Sequence, residues 1–171
     1  QHWGYYSLES GERYTEVDNP EYMAMFDMEI STRKSADLQI TFAPRDADII
    51  RRPLTAQKTG KILFVQGNCV EWRDTYVREL MKHIHIDSFG KCVKTGTYPE
   101  GVGMVELMSR YHFYLALENS IYPDFVTERV FNAWIAGAIP IYKGAPNMPD
   151  YAPTDRSYIL TSDFSSPQDL A

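Results

Sequence analysis

The sequence predicts an α/β fold built on a parallel, doubly wound sheet, and two observations carry that prediction. From Lys61 onward, apolar runs of about five residues alternate with amphipathic segments of roughly ten, the cadence of successive β-α-β units. Within that stretch, Phe113–Pro140 (FYLALENSIYPDFVTERVFNAWIAGAIP) reads as strand, polar loop, helix and second strand, and the helix opens on Glu128 and Arg129. In open α/β sheets, ligands lie beyond the carboxyl ends of the strands, where helix amino termini point at them. An acid and a guanidinium placed there can read a sugar hydroxyl and a phosphate together, the layout of a nucleotide-sugar site.

The elements follow in order. Lys61–Val65 (KILFV) is a buried strand. Glu71–His83 is a helix, with Val77, Leu80, Met81 and Ile84 at helical spacing. Ile84–Phe89 (IHIDSF) is a second strand, and a helix follows near Val102–Arg110. His112–Leu117 is the third strand. Thr127–Ala136 is a helix closed by Gly137, and its stripe of Val130, Phe131, Trp134 and Ile135 belongs to the core. Ala138–Tyr142 and Ser157–Thr161 (SYILT) are the fourth and fifth strands. Before these, residues 1 to 55 are irregular, with a turn at Asn19-Pro20 and short apolar runs at Leu38–Phe42 and Asp48–Ile50. The polar stretch Pro53–Gly60 is a linker.

Bulk properties narrow the function. The 171 residues are 44% hydrophobic and 13% aromatic, enough apolar mass for a core. A net charge of −6 without a basic run argues against a nucleic-acid groove. No segment approaches the roughly 20 apolar residues that span a bilayer. The chain opens on Gln1-His2-Trp3 and ends inside a helical pattern at Asp169-Leu170-Ala171, so it reads as an internal stretch of a longer protein. Cys69 and Cys92 are too few for a zinc cage and lack redox spacing. Each follows a predicted strand, and the pattern fits either a disulfide or two buried thiols.

The candidate site residues cluster at the expected carboxyl edge. Arginine in a first helical turn opposes the helix dipole unless an anion neutralises it, and the guanidinium fork of Arg129 matches phosphate oxygens in pairs. Glu128 stands beside it. Arg73 repeats the arrangement in the first turn after the Gly67-Asn68-Cys69 loop, so a parallel sheet aligns Arg73 and Arg129 along one crevice. Two guanidiniums there would stabilise a leaving diphosphate without a metal. Glu118-Asn119-Ser120 ends the third strand and supplies polar groups to the same crevice. Asp46-Ala47-Asp48 has the D-x-D form of a metal-binding triplet, but Arg45, Arg51 and Arg52 oppose a cation. The Gly101–Glu106 segment lacks the third glycine and preceding strand of a dinucleotide fingerprint. His83 and His85 read as structural, and no G-x-S-x-G nucleophile is present.

These motifs, taken together, resemble the α-1,3-fucosyltransferases, glycosyltransferase family 10. The carriers are FYLALENS (113–120), DFVTER (124–129), NAWIAGAIPIYKGAPN (132–147) and SYILTSDFSSPQDLA (157–171). FVQGNCVEWRDTYVREL and IHIDSFGKC extend the likeness upstream. Tyr6-Ser7-Leu8-Glu9-Ser10 is similar to the family's acidic loop. The resemblance implies a GT-B-type fold of two Rossmann-like halves. Residues 1–55 would be the remainder of the acceptor-side domain, and residues 56–171 a truncated GDP-fucose-binding domain. It further implies inverting transfer of L-fucose from GDP-β-L-fucose to a hydroxyl of an acceptor glycan or glycoprotein, in α-1,3 linkage. No cofactor is required, and a divalent ion is at most stimulatory.

By position, Glu9 matches the proposed general base. Arg73 and Arg129 match the diphosphate contacts, and Glu118, Asn119 and Glu128 match polar positions around fucose and ribose. The family implies a Golgi membrane protein with a lumenal catalytic part and an amino-terminal transmembrane anchor outside this chain. Two departures stand out: Arg129 replaces the usual lysine and Phe125 the usual tyrosine. Two further readings compete, a metal-dependent glycosyltransferase using Asp46 and Asp48, and a catalytically inactive sugar-nucleotide-binding relative.

Overall fold

The structure, a computed structural model, describes residues 2–51, 54 and 56–171. Arg52 and the Pro53 and Thr55 positions of the expected linker lie outside the described residues, and with Thr55 the expected boundary between 55 and 56.

The second half carries the sheet that the alternating pattern predicts. Its strands are β4 (Gly60–Gln66), β5 (Asp87–Gly90), β6 (Tyr111–Leu117), β7 (Ile139–Lys143) and β8 (Ile159–Leu160). They are all parallel and ordered β5-β4-β6-β7-β8. The helices between them are α3 (Glu71–Leu80), α4 (Met104–Ser109) and α5 (Glu128–Ile135), with α6 (Pro167–Leu170) at the end. Strand side chains alternate between two cores, as a period of two requires. Tyr114 and Ala116 of β6 pack with Leu107 and Met108 of α4 and Val130 and Phe131 of α5. Leu115 and Leu117 face Val77 and Leu80 of α3. The chain order reverses between β4 and β6, so the crevice of this doubly wound sheet opens at Gln66 and Leu117.

Strand β5 starts later than the sequence suggests. The amides of Met81, His83 and Ile84 still donate to carbonyls at the end of α3, so the helical turn runs on before the chain extends. Gly90 closes β5 at φ 108°, and a Cβ there would meet the Gln66 carbonyl oxygen at 2.1 Å.

The first half is more regular than its composition suggests. Strands β1 (Gly4–Tyr6), β2 (Met28–Ser31) and β3 (Leu38–Gln39) form a second parallel sheet in that order. Between β1 and β2 lie a 3-10 turn (Thr15–Asp18) and α1 (Pro20–Met23), and α2 (Asp48–Arg51) follows β3. The Asn19-Pro20 pair is a helix start: the Asn19 side chain accepts from the amides of Glu21 and Tyr22, and Pro20 takes the first helical position. The two sheets, one at each end of the chain, give the α/β, GT-B-type architecture expected.

The first half docks on the loop between β6 and α5. Ser10 Oγ donates to Ser120 Oγ at 2.7 Å, the Ile121 amide to Glu12 Oε2 at 2.7 Å, and the Tyr122 hydroxyl to Asp18 at 2.5 Å. The Lys34 amide donates to Asp124 at 2.9 Å. The loop that ends the central strand is therefore also the seat of the amino-terminal half.

Of the two options for the cysteines, the structure has the disulfide, Cys69–Cys92, with Cα atoms 5.6 Å apart. It ties the loop after β4 to the end of the neighbouring β5. Closing a loop with a sequence separation of 23 predicts that reduction lowers unfolding free energy by about 3 kcal/mol. Urea titrations with and without reductant measure it. Coincident midpoints would show that the bond constrains nothing.

Candidate functional site

The site is built on the amino terminus of α5. Thr127 is its N-cap, extended at φ −97°, and Glu118, the first residue past β6, holds it. Glu118 Oε1 accepts from the Thr127 amide at 2.8 Å and Oε2 from the Thr127 hydroxyl at 2.7 Å. Glu118 has no exposed surface. Burial pushes its carboxyl up to about 7, against the Thr127 hydrogen bonds and the nearby Arg129 charge, which favour the anion. Its fit is close: a Cβ on Gly144 would lie 2.5 Å from Glu118 Cγ and 2.4 Å from the Tyr142 hydroxyl. That hydroxyl in turn accepts from the Ala145 amide at 2.7 Å. The KGAPN turn after β7 thus needs glycine because the carboxylate and the phenol occupy the space of a side chain.

Beyond Thr127, Glu128 and Arg129 project into a cleft of about 320 Å³. Glu9 and Asn119 line the same cleft, with Phe42 and Phe125 as apolar wall. Five of the six expected residues, Glu9, Glu118, Asn119, Glu128 and Arg129, therefore meet across a chain separation of more than 100 positions. Arg129 is largely covered and its Nη1 lies 3.2 Å from Glu128 Oε1, while the Glu128 carboxylate is half exposed. Glu9 is held through its backbone, its amide donating to Ser7 Oγ at 3.1 Å. Among the described residues its carboxylate is in ion-pair range of Arg13, Nη1 to Oε2 at 3.8 Å, and the buried Oε2 makes no hydrogen bond.

The sixth residue, Arg73, lies at the expected edge but not in the expected setting. It has no exposed surface. Nη1 donates to the Leu117 carbonyl at 3.1 Å and Nη2 to the Asn68 carbonyl at 2.7 Å. Burial, and next the charge of Arg129, lower its pKa, so the two guanidiniums do lie close enough to repel. Arg73 sits beneath the end of β6 and clasps it to the loop after β4, instead of facing the crevice. A first-turn position fixes which edge a residue occupies, not whether the neighbouring loops close over it.

The remaining candidates lie elsewhere. Asp46 Oδ1 accepts from the Asp48 amide at 2.9 Å, and Asp48 pairs with Arg51 at 3.2 Å. His85 pairs with Asp87 at 3.1 Å and His83 lies 3.7 Å from Glu79. Gly103 is the N-cap of α4. Cys69, Asp74 and Cys92 cluster within 4.8 Å, but both sulfurs are committed to the disulfide. Larger hollows of about 550 and 770 Å³ open around Tyr76 and Lys143 and contain none of the expected site residues. Thr127, expected as the first residue of the helix, is instead its N-cap, and a threonine at the start of a helical pattern is the signal that marks one.

Comparison with known proteins adds to this geometry. The model of glycosyltransferase family 10 (fucosyltransferase), C-terminal part, matches residues 55–171. The chain belongs to the family 10 fucosyltransferases. It is 30% identical to Alpha-(1,3)-fucosyltransferase B of Drosophila melanogaster over 195 residues, covering 99% of this chain and 44% of that protein. It is 36% identical to GDP-fucose protein O-fucosyltransferase 3 of Xenopus laevis over 132 residues, covering 71% and 28%. The chain thus spans less than half the length of these fucosyltransferases. A crystal structure of alpha1,3-fucosyltransferase shares its fold with a TM-score of 0.74 at 18% identity, over 99% of this chain and 60% of that one. A structure of alpha1,3-fucosyltransferase with GDP gives 0.66 at 19%, over 83% and 54%.

Proposed function

We propose that the protein containing this chain transfers L-fucose from GDP-β-L-fucose to an acceptor hydroxyl, with inversion, in a single displacement. One observation carries the reading: Glu9 from the amino-terminal half shares a cleft with Asn119, Glu128 and Arg129 at the amino end of α5. Diphosphate charge is stabilised there by Arg129 and by the partial positive charge of the helix terminus, without a metal ion. The half-exposed Glu128 carboxylate accepts sugar hydroxyls. Glu118, both oxygens engaged by Thr127, positions the helix start. Glu9, free of hydrogen bonds at Oε2, takes the acceptor proton. On this reading residues 1–55 serve the acceptor side and 56–171 the donor side.

The acceptor follows one of two patterns. The similarity to an α-(1,3)-fucosyltransferase supports a glycan hydroxyl in α-1,3 linkage, and that to protein O-fucosyltransferases supports a hydroxyl of the polypeptide. We also infer a lumenal, Golgi-membrane setting for the whole protein, and the Cys69–Cys92 disulfide suits such an oxidising compartment. No described helix is long and apolar enough to cross a membrane.

The test is GDP release from GDP-fucose by the full-length protein, with glycan and peptide acceptors in parallel and with EDTA present. Turnover that persists in EDTA is expected, and loss of turnover would favour the metal-dependent alternative. Arg129→Ala should weaken GDP binding by about 10-fold or more in calorimetry, the loss of one charged hydrogen-bonding partner. Unaltered affinity would remove the phosphate role of Arg129.

A further inference from the structure

With Arg73 enclosed, the donor cleft itself is left with one guanidinium among the described residues, that of Arg129, for a ligand with two phosphates. A second cavity supplies another. It measures about 360 Å³, adjoins the cleft at Asn119, and is bounded by Glu12, Arg13, Val70 and Ser120. We propose that Arg13 is an anion-binding residue of the donor site, meeting the diphosphate of the nucleoside diphosphate from the cavity that adjoins the cleft at Asn119. The proposal rests on the donor reading above and extends it to a residue outside the motifs that carry the family likeness.

The backbone at Arg13 is fixed, and its side chain is not. The amides of Arg13 and Tyr14 both donate to the Ser10 carbonyl, at 3.1 and 3.2 Å, folding the segment into a turn. Ser10 Oγ is bonded to Ser120 Oγ, and Glu12 Oε2 accepts the Ile121 amide, so the turn is nailed on both sides of Gly11 to the loop that carries Asn119. Gly11 is required at this contact, because a Cβ would enter the Tyr122 ring at 2.4 Å. The Arg13 side chain, by contrast, is 57% exposed, and its charged partner is Glu9 at 3.8 Å, beyond hydrogen-bonding distance. An exposed pair of that geometry holds neither partner firmly.

Two features favour an anion in this cavity despite the Glu9 and Glu12 carboxylates beside it. Among the described residues the fork of Arg13 has no hydrogen-bonded acceptor competing with phosphate oxygens, and such forks bind them in pairs. Across the cavity, Val70 is the N-cap of the ten-residue α3 and offers no side-chain acceptor, so the positive end of that helix borders the same space.

The arrangement also links donor binding to the proposed base. When phosphate draws Arg13 away, the Glu9 carboxylate loses the cation that lies 3.8 Å from it and can take the acceptor proton. The leaving diphosphate and the base would thus exchange one guanidinium between them.

Calorimetric titrations of the full-length protein with GDP, GMP, guanosine and inorganic pyrophosphate test this in the wild type, Arg13→Ala, Arg13→Gln and Arg13→Lys. GDP and pyrophosphate should weaken about 10-fold or more in the Ala and Gln variants. GMP should weaken less, guanosine should be unaltered, and Lys should recover part of the loss. Equal GDP affinity in wild type and Arg13→Ala overturns the proposal, as does an equal loss for GDP and guanosine. Arg13-dependent pyrophosphate binding without any GDP binding would uphold the anion site and sink the nucleotide-sugar reading instead.

Discussion

Glu9→Gln should leave GDP and GDP-fucose affinity within about twofold of wild type while lowering transfer by two to four orders of magnitude, the usual worth of a positioned general base. The substitution is nearly isosteric, and the structure explains why it should spare the fold. The turn that holds Glu9 uses its backbone amide and the Ser7 hydroxyl. The carboxylate itself has a 3.8 Å contact with Arg13, and its buried Oε2 accepts no hydrogen bond. Removing its charge therefore orphans no buried partner, and a large effect on turnover has to arise in the reaction. Single-turnover transfer and equilibrium binding, measured on the same preparation, separate the two steps. Wild-type transfer by the variant would make Glu9 an ordinary loop residue and leave the cleft without a base.

That cleft shows which parts of a site a sequence can and cannot disclose. The strands β4, β6 and β7 and the helices α3 and α5 were legible because each combines a periodic apolar pattern with five or more residues of length. Their order along the chain then fixed the carboxyl edge on which Glu118, Asn119, Glu128 and Arg129 had to lie. The first sheet was not legible, because its strands span two to four residues and, unlike the equally short β5 and β8, do not sit in an alternation with longer helices: α1 has four residues. Glu9 entered only through family resemblance. What brings it to the cleft is the Ser10–Ser120 hydrogen bond between residues 110 positions apart, and no local pattern encodes such a pairing. Gly144 was equally silent, since its requirement comes from Glu118 and Tyr142 packing against it in three dimensions.

Arg73→Ala is expected to destabilise the protein by about 3–5 kcal/mol, a far larger structural effect than a surface guanidinium would have. Two carbonyl oxygens, of Leu117 and Asn68, would lose their donors inside the protein, at about 1–3 kcal/mol each. The vacated volume adds a cavity between β6 and the loop after β4. Arg73→Lys should recover little, because a single ammonium on a linear stem does not reproduce the fork that spans both carbonyls. Unfolding in urea measures the loss, and the direction of a second observation makes the test decisive. If Arg73 clasps the sheet, GDP affinity should fall together with stability, and saturating GDP should not restore the midpoint. If instead Arg73→Ala unfolds like wild type and loses only GDP affinity, the guanidinium must leave Leu117 and Asn68 when donor arrives. The loop after β4, tethered at Cys69 to Cys92, would then be a moving part of the site, not its foundation.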